Sequence, residues 1–411
     1  MKEVDVLIIG GGPAGLAAAV ALDKAGIRKI LIVEREKQLG GILRQCIHDG
    51  FGLTRFGEML SGPEYAQRFI DEVVERKIPY LLDAAVTEVT PQRQATYVSP
   101  SGVEAIQAKA VIFAMGCRER PRGALAIPGE RPSGVFTAGT AQNFINLQNK
   151  MVGKEVVILG SGDIGMIMAR RLTLEGAHVK GVYEIQPIPS GLPRNIQQCL
   201  DDYGIPLYLS HTVTDIHGAS RLTGVTVSQV DEKLRPIKGT GEEVPCDTLI
   251  LSAGLIPENE LTRKAGIALD RRTHGAVVDQ WMQCDRPGFF SCGNVLHVHD
   301  LVDFVSLEAE KTARAAARFV REGSLPACPI RVKAGAGLNH VLPASISGDE
   351  DVTFSMRPSA KLADGILRVT QNGKVLYQKR LRKALPAVMV EVAVKRQAFQ
   401  KEGDVEVSLT C

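Results

Sequence analysis

Two stretches of this chain repeat one pattern, and that pattern leaves few folds open. The first runs Val4-Asp5-Val6-Leu7-Ile8-Ile9, then Gly10-Gly11-Gly12-Pro13-Ala14-Gly15, then an alanine-rich segment to Ala25-Gly26. It continues as Lys29-Ile30-Leu31-Ile32-Val33 and ends in Glu34. The second runs Val156-Val157-Ile158-Leu159, then Gly160-Ser161-Gly162-Asp163-Ile164-Gly165, then a helix-forming run over 166–174. Its next apolar run, 177–183, ends in Glu184. A β-branched run, a glycine turn and a helix-forming run predict strand, turn and helix. In both copies the acidic residue stands 19 positions after the third glycine.

Each part of the pattern has a physical task. The first glycine permits the tight turn, the second lets a pyrophosphate approach the backbone, and the third lets helix pack on strand. The helix N-terminus then offers free N–H groups and a positive dipole end to the phosphates. Glu34 and Glu184 fall where a ribose hydroxyl is gripped. One such turn alone could be a plain glycine turn; two, at identical spacing and in the same strand–helix context, favour two dinucleotide sites. A carboxylate at Glu184 accepts from a free 2′-hydroxyl and repels a 2′-phosphate, so NAD(H) is expected over NADP(H). His178 and Lys180 lie nearby in sequence but off the strand end.

Size and composition set the frame around these turns. A chain of 411 residues suggests two or three domains. Its 45% apolar and 23% charged content are those of a globular protein. A net charge of +3 gives no reason to expect nucleic acid or an anionic membrane as partner. Aromatics are only 5%, with Trp281 the single tryptophan, which argues against stacking platforms for single strands. The cysteines at 46, 117, 199, 246, 284, 292, 328 and 411 never form Cys-x-x-Cys, the usual sign of a redox pair, zinc ribbon or iron–sulfur cluster. Scattered thiols and an acidic start unlike a signal peptide point to the cytoplasm. Val6 to Leu22 is apolar enough to suggest a membrane helix, but Gly10-Gly11-Gly12-Pro13 would break it. A buried strand, turn and helix are expected instead, with no integral membrane segment.

With both turns placed, the chain resembles the pyridine nucleotide-disulfide oxidoreductase family, the flavoproteins with two dinucleotide domains, over residues 1 to about 322. Three further stretches carry the resemblance. Ala110-Val111-Ile112-Phe113-Ala114-Met115-Gly116 is similar to the strand and turn closing the first FAD segment, with Met115 in place of threonine. Thr248-Leu249-Ile250-Leu251-Ser252-Ala253-Gly254 is the corresponding close of the NAD domain. Gly288-Phe289-Phe290-Ser291-Cys292-Gly293-Asn294 resembles the late FAD motif.

The resemblance implies an α/β fold with two Rossmann-like dinucleotide-binding domains, the NAD domain inserted in the FAD domain, plus a small β-rich C-terminal module. Expected boundaries are 1–120 for the first FAD segment, 121–152 for a linker, and 153–254 for the NAD domain. The second FAD segment is expected over 255–324 and the C-terminal module over 325–411. FAD contacts carry over to Gly10, Gly12, Pro13, Ala14, Gly15, Glu34, Arg35, Gly40, Gly41, Val86, Gly116, Gly293 and Asn294. NAD contacts carry over to Gly160, Gly162, Asp163, Ile164, Gly165, Glu184 and Gly254. The helix near Phe304 to Arg321 would point its positive end at the flavin pyrimidine and stabilise the anionic reduced flavin.

Two departures matter. Asn294 replaces the family's aspartate and brings hydrogen bonds without charge. After Gly40-Gly41 comes Ile42-Leu43-Arg44-Gln45-Cys46-Ile47-His48-Asp49-Gly50-Phe51-Gly52, with one cysteine where disulfide reductases carry a pair. Disulfide reduction by the usual mechanism is not expected.

Within the family the chain is most similar to electron-transfer flavoprotein subunits. The Cys46–Gly52 run, Arg118-Glu119-Arg120-Pro121, the second glycine turn and Gly293-Asn294-Val295-Leu296-His297-Val298-His299-Asp300 carry this. The resemblance implies that the partner is a dehydrogenase subunit of the glycerol-3-phosphate type, with opine, proline and hydrogen-cyanide-forming complexes as relatives. Hydride would pass between nicotinamide and flavin, whose own atoms carry the chemistry. A free-standing NADH oxidase or diaphorase, and a nucleotide-holding scaffold subunit, are the alternatives.

Other groups admit two readings. Cys46 and His48 could serve as acid/base or substrate groups, or be a packed thiol and a structural histidine. Arg118, Arg120 and Arg122 could neutralise phosphate or form a solvated basic loop. His297, His299 and Asp300 lack a further obvious ligand, so no metal is expected. From about Leu325 the character changes: Pro326, Pro329 and Gly335-Ala336-Gly337 mark a boundary, and β-rich runs flank Asn372-Gly373, a hairpin signal. This tail is read as a module for partner docking or self-association into a homo-oligomer.

Overall fold

A computed structural model describes residues 2–410. The chain divides into two units, one running to Cys117 and resuming at Pro257, the other comprising Arg118–Ile256. The architecture is α/β: two Rossmann-like dinucleotide folds, the second inserted in the first, followed by a β-rich C-terminal module.

In the first unit, aliphatic runs without polar interruption make strands buried on both faces. Lys2–Ile9 lies between Ile30–Val33 and Gly102–Phe113, both parallel to it, in a seven-stranded sheet. Val6, Leu7 and Ile8 have no exposed surface. The strand Phe289–Ser291, from beyond the inserted unit, pairs in parallel with Gly102–Phe113. The returning chain therefore completes the sheet that the N-terminal segment begins, and Cys292 N–H, donating to Phe113 O at 3.1 Å, brings Gly293 to the strand ends. Helix Pro13–Lys24 packs against helix Val302–Glu322, and alanines 14, 17, 18, 309, 313 and 316 let their backbones approach closely. The apolar stretch Val6 to Leu22 is thus a strand, a turn and a helix. Among the described residues no helix is long and apolar enough to cross a membrane.

The second unit repeats the plan. Leu207–Leu209, His178–Glu184, Glu155–Leu159, Thr248–Leu251 and Val135–Thr137 form a parallel sheet in that order. Helix Asp163–Leu174 follows the second glycine turn. A three-stranded antiparallel sheet, His211–His217, Gly224–Gln229 and Glu242–Pro245, covers Val157, Leu159 and Leu251. Residues 121–152, expected as a linker, belong to this unit: Val135–Thr137 is an edge strand of its sheet and Ala138–Asn146 a helix on it. A strand of three residues shows no alternation in sequence, so it reads as connection.

The C-terminal residues form a five-stranded and a three-stranded sheet around Phe354, Met356, Leu367, Val369, Val405 and Val407. The hairpin of Leu362–Gln371 and Lys374–Ala384 turns at Asn372 and Gly373, with φ of 52° and 78°. Positive φ at both central residues suits the twist of a two-residue hairpin, and asparagine and glycine tolerate it best. This module belongs to the first unit. Arg357 donates to Asp300 Oδ1 at 2.7 Å, Ala344 N–H to Val278 O at 2.8 Å, and Trp281 Nε1 to Pro326 O at 3.2 Å.

Candidate functional site

The first glycine turn is built around a buried carboxylate. Glu34, only 6% exposed, accepts Gly11 N–H on Oε2 at 2.6 Å and Glu36 N–H on Oε1 at 2.8 Å. The end of the second strand and the turn after the first are thereby locked together. The third glycine has no choice: a Cβ on Gly15 would collide with the carbonyl oxygen of Gly10. The second differs. A Cβ on Gly12 would meet nothing nearer than Gly41 Cα at 3.9 Å, so the fold itself does not demand glycine there. Gly12 is the N-cap of helix Pro13–Lys24, and among the described residues no side chain caps it, which leaves the first helical N–H groups without an intrahelical acceptor. This is the donor arrangement that a pyrophosphate fits.

The remaining first-unit residues gather around this turn to different degrees. Gly40 N–H donates to Gly11 O at 2.8 Å, which brings Gly40 and Gly41 against the turn. Ala114 N–H donates to Ile9 O at 2.9 Å, placing Gly116 just beyond the strand ends. Ala84 N–H donates to Glu34 O at 3.0 Å, and Val86 follows on the strand Ala85–Val89. Arg35 is exposed and faces Glu36 at 3.8 Å. Asn294 is engaged by its own loop and by the segment after Gly116: its Oδ1 accepts His299 N–H at 3.0 Å, and its Nδ2 faces Cys117 Sγ at 3.8 Å. An aspartate could make the first of these contacts but not the second, which gives the departure from the family pattern a local reason.

Cys46 and His48 lie on the loop that follows Gly41. Burial pushes the Cys46 thiol up to about 12, and its sulfur faces Ile42 O at 3.4 Å. A thiol so buried is no nucleophile at neutral pH. His48 is partly exposed, with Nδ1 at 3.0 Å from Asp49 O and its ring 4.9 Å from that of Phe51.

The second turn reproduces the first with an added hydroxyl layer. Glu184, 4% exposed, accepts on Oε2 from Ser161 N–H at 2.9 Å, Ser161 Oγ at 2.6 Å and Ser190 Oγ at 2.9 Å. Among the described residues its Oε1 accepts only Gln186 N–H, at 2.9 Å, and so keeps a lone pair for a further donor. Asp163 begins the helix and holds Leu192 N–H and Asn195 Nδ2 on Oδ1 at 2.7 and 2.6 Å. Ile164 packs on the core of the unit, and a Cβ on Gly254 would meet open space. Ser190 carried no motif; only the folding of loop 187–192 back over the turn reveals it.

The family model for pyridine nucleotide-disulphide oxidoreductases matches residues 4–317. The chain belongs to this family. Membership makes it an oxidoreductase and implies FAD together with a pyridine nucleotide. Among family relatives, hydrogen cyanide synthase subunit HcnB of Pseudomonas protegens is 28% identical over 77% of this chain and 69% of its own length. An opine oxidase subunit of Agrobacterium tumefaciens is 26% identical over 71% of this chain, which spans 61% of that protein, less than two thirds. Among solved structures, T. acidophilum thioredoxin reductase shares the fold at a TM-score of 0.63 and 22% identity, covering 77% of this chain and 99% of that one. An NAD-dependent persulfide reductase from A. fulgidus shares it at 0.59 and 17% identity, over 95% of this chain and 71% of that one.

Proposed function

We propose that this chain exchanges hydride between NAD(H) and FAD and serves as the electron-transfer subunit of a dehydrogenase complex, with glycerol 3-phosphate as the partner's substrate. The observation that carries the reading is the duplicated turn, each copy with a buried glutamate tied to it, and the first with a glycine, Gly12, that its own fold leaves open. Gly12, Gly41, Glu34, Gly116 and the Gly293-Asn294 loop would hold FAD; Gly160, Gly162, Glu184 and Gly254 would hold NAD. Flavin and nicotinamide supply the hydride chemistry themselves. The protein's part is to orient, to offer helix N–H groups to phosphate and to exclude water.

The NAD preference rests on Glu184 Oε1, whose remaining lone pair suits a 2′-hydroxyl. A 2′-phosphate there would meet a carboxylate that, among the described residues, has no cation in its contacts. Stopped-flow flavin reduction tests this: NADH should outpace NADPH, and Glu184→Ser should narrow the gap by about tenfold or more. Faster reduction by NADPH in the parent contradicts it. The burial of Cys46 supports electron exit by a route other than an internal disulfide. The subunit reading is supported by two relatives that are themselves named as subunits, one of hydrogen cyanide synthase and one of opine oxidase. Scattered cysteines support a cytoplasmic setting. Copurification from the native host should recover a dehydrogenase partner; a chain that recovers none and turns over rapidly with oxygen is a free-standing NADH oxidase.

A further inference from the structure

We propose that His297, His299 and Glu308 form a binding site for one first-row divalent cation, iron(II) or zinc. The sequence shows only the two histidines, on the loop before helix Val302–Glu322. Folding adds the third group, because Glu308 lies on that helix and its side chain turns back toward the loop. One ligand atom from each residue lies within 4.8 Å of the others. The side chains are 1%, 3% and 12% exposed. Both Nε2 atoms face the same carboxylate oxygen, Oε2 of Glu308: His297 at 2.7 Å and His299 at 3.4 Å.

Two arrangements call for different distances. Imidazole-to-carboxylate hydrogen bonds run about 2.7–2.9 Å, which suits His297 but leaves His299 too far. Ligand atoms sharing one ion through bonds of about 2.1 Å lie roughly 3.0–3.4 Å apart, which suits His299 and asks His297 to open by a few tenths of an ångström. The charge balance also favours a cation. A buried carboxylate needs a compensating positive charge. A divalent ion compensates the carboxylate while both rings remain neutral ligands.

The supporting shell is in place on the carboxylate side, while Nδ1 of His297 and Nδ1 of His299 have no hydrogen-bond partner among the described residues. Glu308 Oε1 accepts Gly293 N–H at 2.7 Å, which fixes the carboxylate plane and aims Oε2 at the rings. The backbone N–H of His299 is held by Asn294 at 3.0 Å. Hydrogen-bonded carboxylate ligands of this kind are the rule in metal sites. Two imidazoles and one carboxylate without a thiolate are the donor set of non-haem iron(II) and of three-ligand zinc, whereas magnesium and calcium prefer oxygen alone. Three protein ligands leave a position for water or another small ligand.

The test is metal analysis of the full chain, purified without chelator and with its flavin. About one iron or zinc per chain, retained through gel filtration, is expected, and cobalt(II) added after chelation should bring ligand-field bands. Glu308→Gln keeps an acceptor of the same shape without its charge, and His299→Asn removes one ligand. Each should lower retained metal at least about tenfold while flavin content per chain is unchanged. Should either variant fail to fold, the parent decides alone. Less than about a tenth of an ion per chain after anaerobic incubation with iron(II) and, separately, zinc overturns the proposal. Metal content unchanged in both variants overturns it equally.

Discussion

Gly12 and Gly15 stand three positions apart and have opposite reasons to be glycine. A side chain at Gly15 collides with Gly10 O within the protein, while one at Gly12 reaches only open cradle. Gly15→Ala should therefore destabilise the chain by more than about 2 kcal/mol. Gly12→Val should unfold at nearly the parent's denaturant midpoint yet purify without FAD. A yellow, fully loaded Gly12→Val protein would contradict the assignment of the first turn. Asp279 gives a residue-scale test by pH. Its Oδ1 accepts N–H groups of Trp281 and Gln283 at 2.8 and 3.1 Å, yet burial pushes its carboxyl up to about 6. Unfolded, it would titrate at about 3.9. Between these values the folded protein binds more protons than the unfolded, so this group's contribution falls as pH rises through the window and stays unfavourable above it. Asp279→Asn keeps the acceptor without the charge. Its melting temperature should gain on the parent as pH rises from about 4 to 7, and a gain that shrinks instead is the contrary result. The glycines and Glu34 were legible from sequence because each has its own steric or charge task at fixed spacing. Glu308 and Ser190 were not, since only tertiary folding brings them to their partners.

Elements were legible in proportion to their length. Lys2–Ile9 and Glu155–Leu159 announce themselves as aliphatic runs, and Asn372-Gly373 marks its hairpin by backbone chemistry. Val135–Thr137 is too short to show a period, and what defines it is pairing with Thr248–Leu251 far along the chain. The C-terminal module's tie to the loop before helix Val302–Glu322 was equally hidden. Asp300 takes Arg357 from one strand on Oδ1 and Met389 N–H on Oδ2 at 2.6 Å. Arg357 also donates to Val298 O and Pro386 O, both at 2.9 Å. Arg357→Ala leaves a largely buried carboxylate without its cation and frees two carbonyls. A loss of about 2–3 kcal/mol in urea unfolding is expected. A loss below about 0.5 kcal/mol would show this pair to be an ordinary surface contact.

For the whole molecule, the fold class followed from the sequence because one motif occurred twice and each copy required a parallel sheet. The partner did not, because the relatives named as subunits belong to different enzymes, hydrogen cyanide synthase and opine oxidase. The central claim is electron transfer from a nicotinamide to a single flavin without a second redox centre of cysteines. Anaerobic titration with NADH, followed through the flavin spectrum, addresses it most directly. Bleaching complete at about two electrons per bound FAD, with the oxidised spectrum restored by an added acceptor dye, is the expected result. Purification without FAD, no bleaching by NADH, or an endpoint near four electrons would contradict it.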